Sequence, residues 1–63
     1  MSSFREKLEE LVGQEVMLRV TEGDTLDGVL KEVGEDYLIM EVARGGRRIY
    51  NLRNISNIAE IPK

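Results

Sequence analysis

Two periodicities divide the chain. In its first part the apolar residues Phe4, Leu8, Leu11 and Val12 fall at i, i+4, i+7 and i+8, the stripe of an amphipathic helix. Ser3-Phe4-Arg5-Glu6 ahead of that stripe reads as a capping box, in which the Ser3 hydroxyl accepts from the third helical N–H and Glu6 reaches back. Gly13 suits the C-terminal stop, so the spacing predicts a helix over residues 4–12. A helix this short is not stable alone in water and must lie on something.

From Glu15 onward the period falls to two. Val16, Leu18 and Val20 alternate with Met17, Arg19 and Thr21, which predicts a half-buried strand over residues 15–21. Glu22-Gly23-Asp24 is a tight-turn signal, and residues 25–33 read as a second strand with Gly28 inside it. A glycine there marks a bulge or a sharp bend. The apolar positions change parity around it, Leu26 and Leu30 on one face and Val29 and Val33 on the other, as expected of a bent strand serving two parts of one barrel. After the turn Gly34-Glu35-Asp36, the run Tyr37-Leu38-Ile39-Met40-Glu41-Val42 predicts a third strand over about 37–43, buried on both sides. Gly45-Gly46 reads as a third hairpin turn, residues 47–52 as the fourth strand, Arg53-Asn54 as a short break and residues 55–61 as the last strand. The expected fold class is therefore mainly β: one domain over residues 1–63, with a short N-terminal α-helix followed by a five-stranded, strongly bent antiparallel small barrel.

Composition narrows the function. The chain has 63 residues, neither Cys nor His, and therefore no disulfide, no thiol chemistry and neither the commonest general base nor the commonest metal ligand. Ser2, Ser3 and Ser56 have no imidazole to activate them, and Glu35, Asp36 and Glu41 do not have the spacing of a calcium loop. The expectation is a protein that is not an enzyme and holds no cofactor and no metal. The chain shows no apolar run of about 18 residues and no basic-then-apolar leader, so it is expected in the cytoplasm, away from membranes. A domain of about 60 residues buries only about 60% of its unfolded surface, and small domains compensate with disulfides, metals or oligomerisation. With the first two lacking, self-association is expected.

Charge is unevenly placed. Residues 1–41 carry eleven acids and four bases, whereas residues 42–63 carry Glu60 alone against Arg44, Arg47, Arg48, Arg53 and Lys63. A polyanion binder that grips non-specifically is normally basic throughout, so the net charge of −3 leaves room only for a focused site on an acidic body.

Leu26-Asp27-Gly28-Val29-Leu30-Lys31-Glu32-Val33 followed by Asp36-Tyr37-Leu38-Ile39-Met40 resembles the first motif of the Sm-like family, which includes bacterial Hfq. The stretch Tyr50-Asn51-Leu52-Arg53-Asn54-Ile55-Ser56 is similar to the short second motif. Tyr50 matches the Tyr of the Tyr-Lys-His run in Hfq, but Asn51 and Leu52 stand where Hfq has Lys and His. Leu52-Arg53 matches the Ile-Arg of the eukaryotic Ile-Arg-Gly run, with Asn54 in place of Gly. The pattern is also similar to short Sm-like barrels of unassigned function from spore-forming bacteria. The resemblance covers nearly the whole chain. It implies rings of six or seven subunits, strand four of one pairing with strand five of the next, and single-stranded RNA bound around the pore.

Under that resemblance Tyr37 and Tyr50 are the candidates for stacking bases, with a place in the barrel or a subunit interface as the alternative for each. Arg53 could stack on a base and reach a phosphate, or pair between subunits with a carboxylate such as Asp36. Asn51 and Asn54 could read base edges, since an amide both donates and accepts, while Asn54 also suits a left-handed turn. Arg44, Arg47 and Arg48 at the Gly45-Gly46 tip form an auxiliary basic patch that either attracts phosphate or only keeps an edge solvated. Two functions are open at this point: a ring that binds single-stranded RNA, or an oligomeric structural or protein-interaction module without nucleic acid.

Overall fold

The computed structural model describes residues 3–62; Ser2 and Lys63, named above, lie outside the described residues. Helix α1 (Phe4–Glu10) precedes strands β1 (Glu15–Val20), β2 (Thr25–Val33), β3 (Tyr37–Glu41), β4 (Arg47–Asn51) and β5 (Ile55–Glu60), with short 3-10 turns at Ala43–Gly45 and Leu52–Asn54. The strands form one antiparallel sheet in the order β4-β3-β2-β1-β5, bent over a core of Leu8, Val16, Leu18, Leu30, Leu38, Met40 and Ile55. The sheet does not close, because β4 and β5 stand at its two ends.

The helix is shorter than its apolar spacing predicts. Ser3 Oγ accepts from Glu6 N–H at 3.1 Å, as the capping pattern requires. The other end turns out after Glu10, with Leu11 as C-cap, and Gly13 then takes φ +90° and donates its N–H to Leu30 O at 2.7 Å. Backbone pairing to β2 therefore takes Val12 and Gly13 out of the helix. Only Leu8 of α1 is fully buried, while Phe4 and Val12 remain 45% and 42% exposed. A second tether, Arg5 Nε donating to Gly34 O at 3.1 Å, holds the first turn of α1 to the β2–β3 loop.

Two irregularities bend the sheet. Gly28 passes so close to β3 that a Cβ on it would lie 2.5 Å from Glu41 O. A register shift between Leu30 and Glu32 leaves Lys31 as the extra residue of a bulge against β3. That bulge, not the glycine, reverses the parity: Leu26 and Leu30 face the core before it, and Val33 faces the same core after it. A second shift between Arg19 and Val20 against β5 does the same for Ile55.

Strand ends differ from the sequence expectation where turns claim them. β3 stops at Glu41, since Val42 N–H donates to Gly46 O at 2.7 Å and Gly45 N–H to Val42 O at 3.1 Å, closing a tight turn in which Arg44 adopts φ +72°. β4 stops at Asn51, whose side chain caps the following 3-10 turn. β1 and β5 end one residue early, at Val20 and Glu60. The outer face of β3 is only half buried at Tyr37, Ile39 and Glu41, so this strand is buried on one side rather than two. Asn54 lies in the 3-10 turn rather than in a left-handed position; among the described residues Arg44 is the one non-glycine with positive φ.

Candidate nucleic-acid interface

Antiparallel pairing places Tyr37 opposite Asn51 on the convex face, at the end of the sheet where β2 passes into β3 and β4 leaves it. Leu52 N–H donates to Asp36 O at 2.8 Å, which binds the 34–36 loop to the 52–54 turn. Three of the candidate residues, Tyr37, Asn51 and Arg53, thus come together across two loops that are distant in sequence.

Each has a local reason for its position. Gly34 N–H donates to Tyr37 O at 2.8 Å, and the tyrosine ring lies against Gly34 where any Cβ would collide with it. The ring is therefore half buried, and its hydroxyl donates to Glu32 Oε2 at 2.7 Å. That bond, reinforced by the charge of the same carboxylate, then by partial desolvation and last by Asp36, raises the Tyr37 pKa above the usual phenol value. Asn51 Oδ1 accepts from Arg53 N–H at 3.2 Å and from Arg53 Nε at 3.4 Å. The amide oxygen is thereby committed to ordering the turn, and its amino group is left as the donor available to a ligand. Arg53 is exposed and projects from the turn beside this pair.

The other candidates fall elsewhere. Tyr50 is opposite Leu38, on the concave face, and packs against the core. It closes one side of a cleft of about 520 Å³ between the β1–β2 turn and β4, with Val20, Asp24, Leu26 and Arg48 on the other walls. Asn54 is exposed, and its carbonyl accepts from Thr21 N–H at 2.8 Å. Arg47 lies at the opposite end of the β3–β4 ladder from Asn51, four residues along, or about 13 Å at about 3.3 Å per residue, and Arg44 lies in the turn beyond it.

Electrostatics follow the same division. The two ion pairs among the described residues, Arg5–Glu9 at 3.4 Å and Lys7–Glu10 at 3.8 Å, both lie on α1. Arg44, Arg47, Arg48 and Arg53 have no carboxylate partner among the described residues. Glu32, Glu35 and Asp36 flank the Tyr37 end, where Arg5 also reaches Gly34 O, so Arg53 sits in mainly acidic surroundings. Among the described residues no three carboxylates converge on a point that could hold a cation, and no helix is long and apolar enough to cross a membrane.

Sequence reasoning missed Glu32 and Gly34. Gly34 reads as turn punctuation, and nothing in the sequence says that its bare Cα makes room for a ring three residues on. The Glu32–Tyr37 spacing carries no helical or strand period either; it is created by the tight loop between them.

No family model matches the chain, and no curated protein matches it in sequence. Solved structures match it in shape, two of them heptamers. The P. aerophilum SmAP1 heptamer superimposes with TM-score 0.79 at 16% identity, covering 100% of this chain and 99% of that one. A heptameric archaeal Sm protein, considered for its bearing on the eukaryotic snRNP core, superimposes with TM-score 0.73 at 18% identity, covering 89% of this chain and 97% of that one. At such identities the agreement is one of backbone path, and it extends over helix, strand order and bend alike. This chain has the Sm-like fold.

Proposed function

We propose that the chain assembles through its two open sheet edges into an Sm-like ring, and that the ring binds single-stranded RNA at the Tyr37–Asn51–Arg53 end. The observation that carries this reading is the unclosed sheet, with β4 at one end and β5 at the other. Two different free edges make a head-to-tail contact, which closes into a ring when the rotation permits. Pairing them also removes the exposed backbone donors and acceptors that invite aggregation. Both structural neighbours are heptamers, which supports the same assembly here.

RNA is supported by the chemistry at the 34–37 and 51–54 segments. Repeated around a ring, each copy offers one aromatic ring, one amide donor and one guanidinium. That set can stack a base, touch its edge and reach a phosphate without a sequence code. The acidic flank of Glu32, Glu35 and Asp36 favours a second reading, an assembly that presents this end to a protein instead.

Native mass spectrometry of protein prepared without nuclease tests the ring: six or seven copies of 7.2 kDa give a species at about 43 or 50 kDa. A monomer or dimer at all concentrations refutes it. Fluorescence anisotropy with a short single-stranded RNA of mixed sequence tests the ligand. Binding should weaken with salt, and Tyr37→Ala should cost about 1–3 kcal/mol per stacked base. Arg53→Ala with an intact ring and unchanged affinity removes Arg53 from the site. No binding at low salt leaves the protein-interaction reading.

A further inference from the structure

Among the described residues, the β4 edge carries the most exposed large apolar side chain, Ile49, at 70%. Its neighbour on the same face, Arg47, has no ion-pair partner among the described residues, and neither does Glu60 on the β5 edge. Backbone geometry says which residues of these edges can meet. The bonds Val42 N–H to Gly46 O and Leu52 N–H to Asp36 O bracket the β3–β4 ladder. With the register Leu38↔Tyr50 and Met40↔Arg48, the even-numbered residues of β4 turn their amides and carbonyls toward β3. Arg47, Ile49 and Asn51 therefore turn theirs outward. On β5, Ile61 N–H donates to Glu15 O, so Asn57 and Ala59 face β1 and Ile58 and Glu60 face outward.

An antiparallel contact must join outward-facing residues on both edges, which allows register changes only in steps of two. We infer that the β4 edge receives the β5 edge of a second copy in a single register, with Arg47 against Glu60 and Ile49 against Ile58 of that copy. The inference rests on the ring reading above and names the residues that lock it. One step one way sets Ile49 against Glu60 and Arg47 against Pro62, which has no N–H to give. One step the other way sets Arg47 against Ile58 and Ile49 against Ser56. Each alternative opposes an apolar side chain to a charged or polar one, whereas the chosen register matches charge with charge and apolar with apolar. The faces agree as well. Each copy contributes five antiparallel strands, an odd number, so an antiparallel neighbour brings its concave face to the convex side of β4. Ile58, half buried on the concave face of its own copy, then covers the exposed Ile49.

The chain has no cysteine, so the register can be read by cross-linking. A hydrogen-bonded antiparallel pair has Cα atoms about 5.5 Å apart, inside the range of about 4.4–6.8 Å that a disulfide spans. Mild oxidation of the double variant Ile49→Cys/Ile58→Cys should give a ladder of covalent multimers up to the full ring. Ile49→Cys/Glu60→Cys and Ile49→Cys/Ser56→Cys should give none. A ladder from either of those two instead, or a ring with no ladder from any, overturns the register while the ring stands. A wild-type monomer overturns both. Charge reversal supplies a second arm that leaves the apolar pair alone. Arg47→Glu or Glu60→Arg should each raise the dissociation concentration by about two- to tenfold per interface, and the double reversal should restore it. Single reversals without effect, or a double no better than either, refute the ion pair.

Discussion

Replacing Gly28 by Ala probes the bend on which the whole sheet depends. The backbone at Gly28 is not in the left-handed region, so alanine is conformationally acceptable there, and the difficulty is one of space. Its Cβ would lie 2.5 Å from Glu41 O and 3.3 Å from Glu41 C, both main-chain atoms of β3. Even a weak C–H···O contact keeps carbon and oxygen at about 3.3–3.6 Å, so the strands must part by roughly 0.8 Å or more. They must do so beside the Val29↔Glu41 pair, which begins the β2–β3 ladder. Overpacking of this kind costs about 1–3 kcal/mol. The stiffer unfolded chain returns about 0.4–1 kcal/mol, leaving a net loss of about 1–2 kcal/mol. For a domain of this size that corresponds to a fall in Tm of roughly 5–15 °C. Urea unfolding followed by far-ultraviolet circular dichroism is the assay, with both proteins at one concentration because assembly makes apparent stability depend on it. Gly13→Ala is the contrasting control: no atom lies within 4 Å of the new Cβ, and any cost comes from φ +90° alone. A Gly28→Ala midpoint equal to or above wild type would show that the approach to Glu41 is not what requires glycine.

Leu8→Ala should cost about 2–5 kcal/mol, because Leu8 is the one fully buried residue of α1 and a seven-residue helix has little stability of its own. Hydrogen exchange should show α1 opening ahead of the sheet, and uniform protection across both would contradict this. Tyr37→Phe removes the hydroxyl bond to Glu32 and with it a dependence on alkaline pH. The folded-state pKa of Tyr37 is raised, so the bond contributes fully below the ordinary phenol pKa of about 10 and is lost as pH rises through the higher folded value. The difference in urea midpoint between wild type and variant should shrink above that pH, and a difference that stays constant refutes the assignment.

The local layers of this molecule were legible because they rest on near neighbours along the chain. Ser3 capping Glu6, the alternation Val16-Leu18, and the turns at residues 22–24 and 34–36 all depend on spacings of a few residues. The helix, five strands and expected bend could therefore be read in order, with errors of one or two residues where a turn took over the end of an element. The candidate site was legible only in part. Tyr37 and Tyr50 look alike in sequence, yet the pairing Tyr37↔Asn51 puts one on the convex face and leaves the other against the core.

Two physical facts mark the boundary. Side chains in a strand alternate, so any shift by one residue exchanges the faces, and the bulges at Lys31 and Ser56 make such shifts without a sequence signal of their own. Local chemistry in the sequence by itself determined that this is a small antiparallel sheet under a capped helix, without thiol or imidazole chemistry. Only the tertiary structure decided that Tyr37, Asn51 and Arg53 meet, that Glu32 and Gly34 hold the tyrosine, and that β4 and β5 are left as open edges. Those outcomes depend on which strands pair and in what register, and pairing is a property of contacts made across the whole chain.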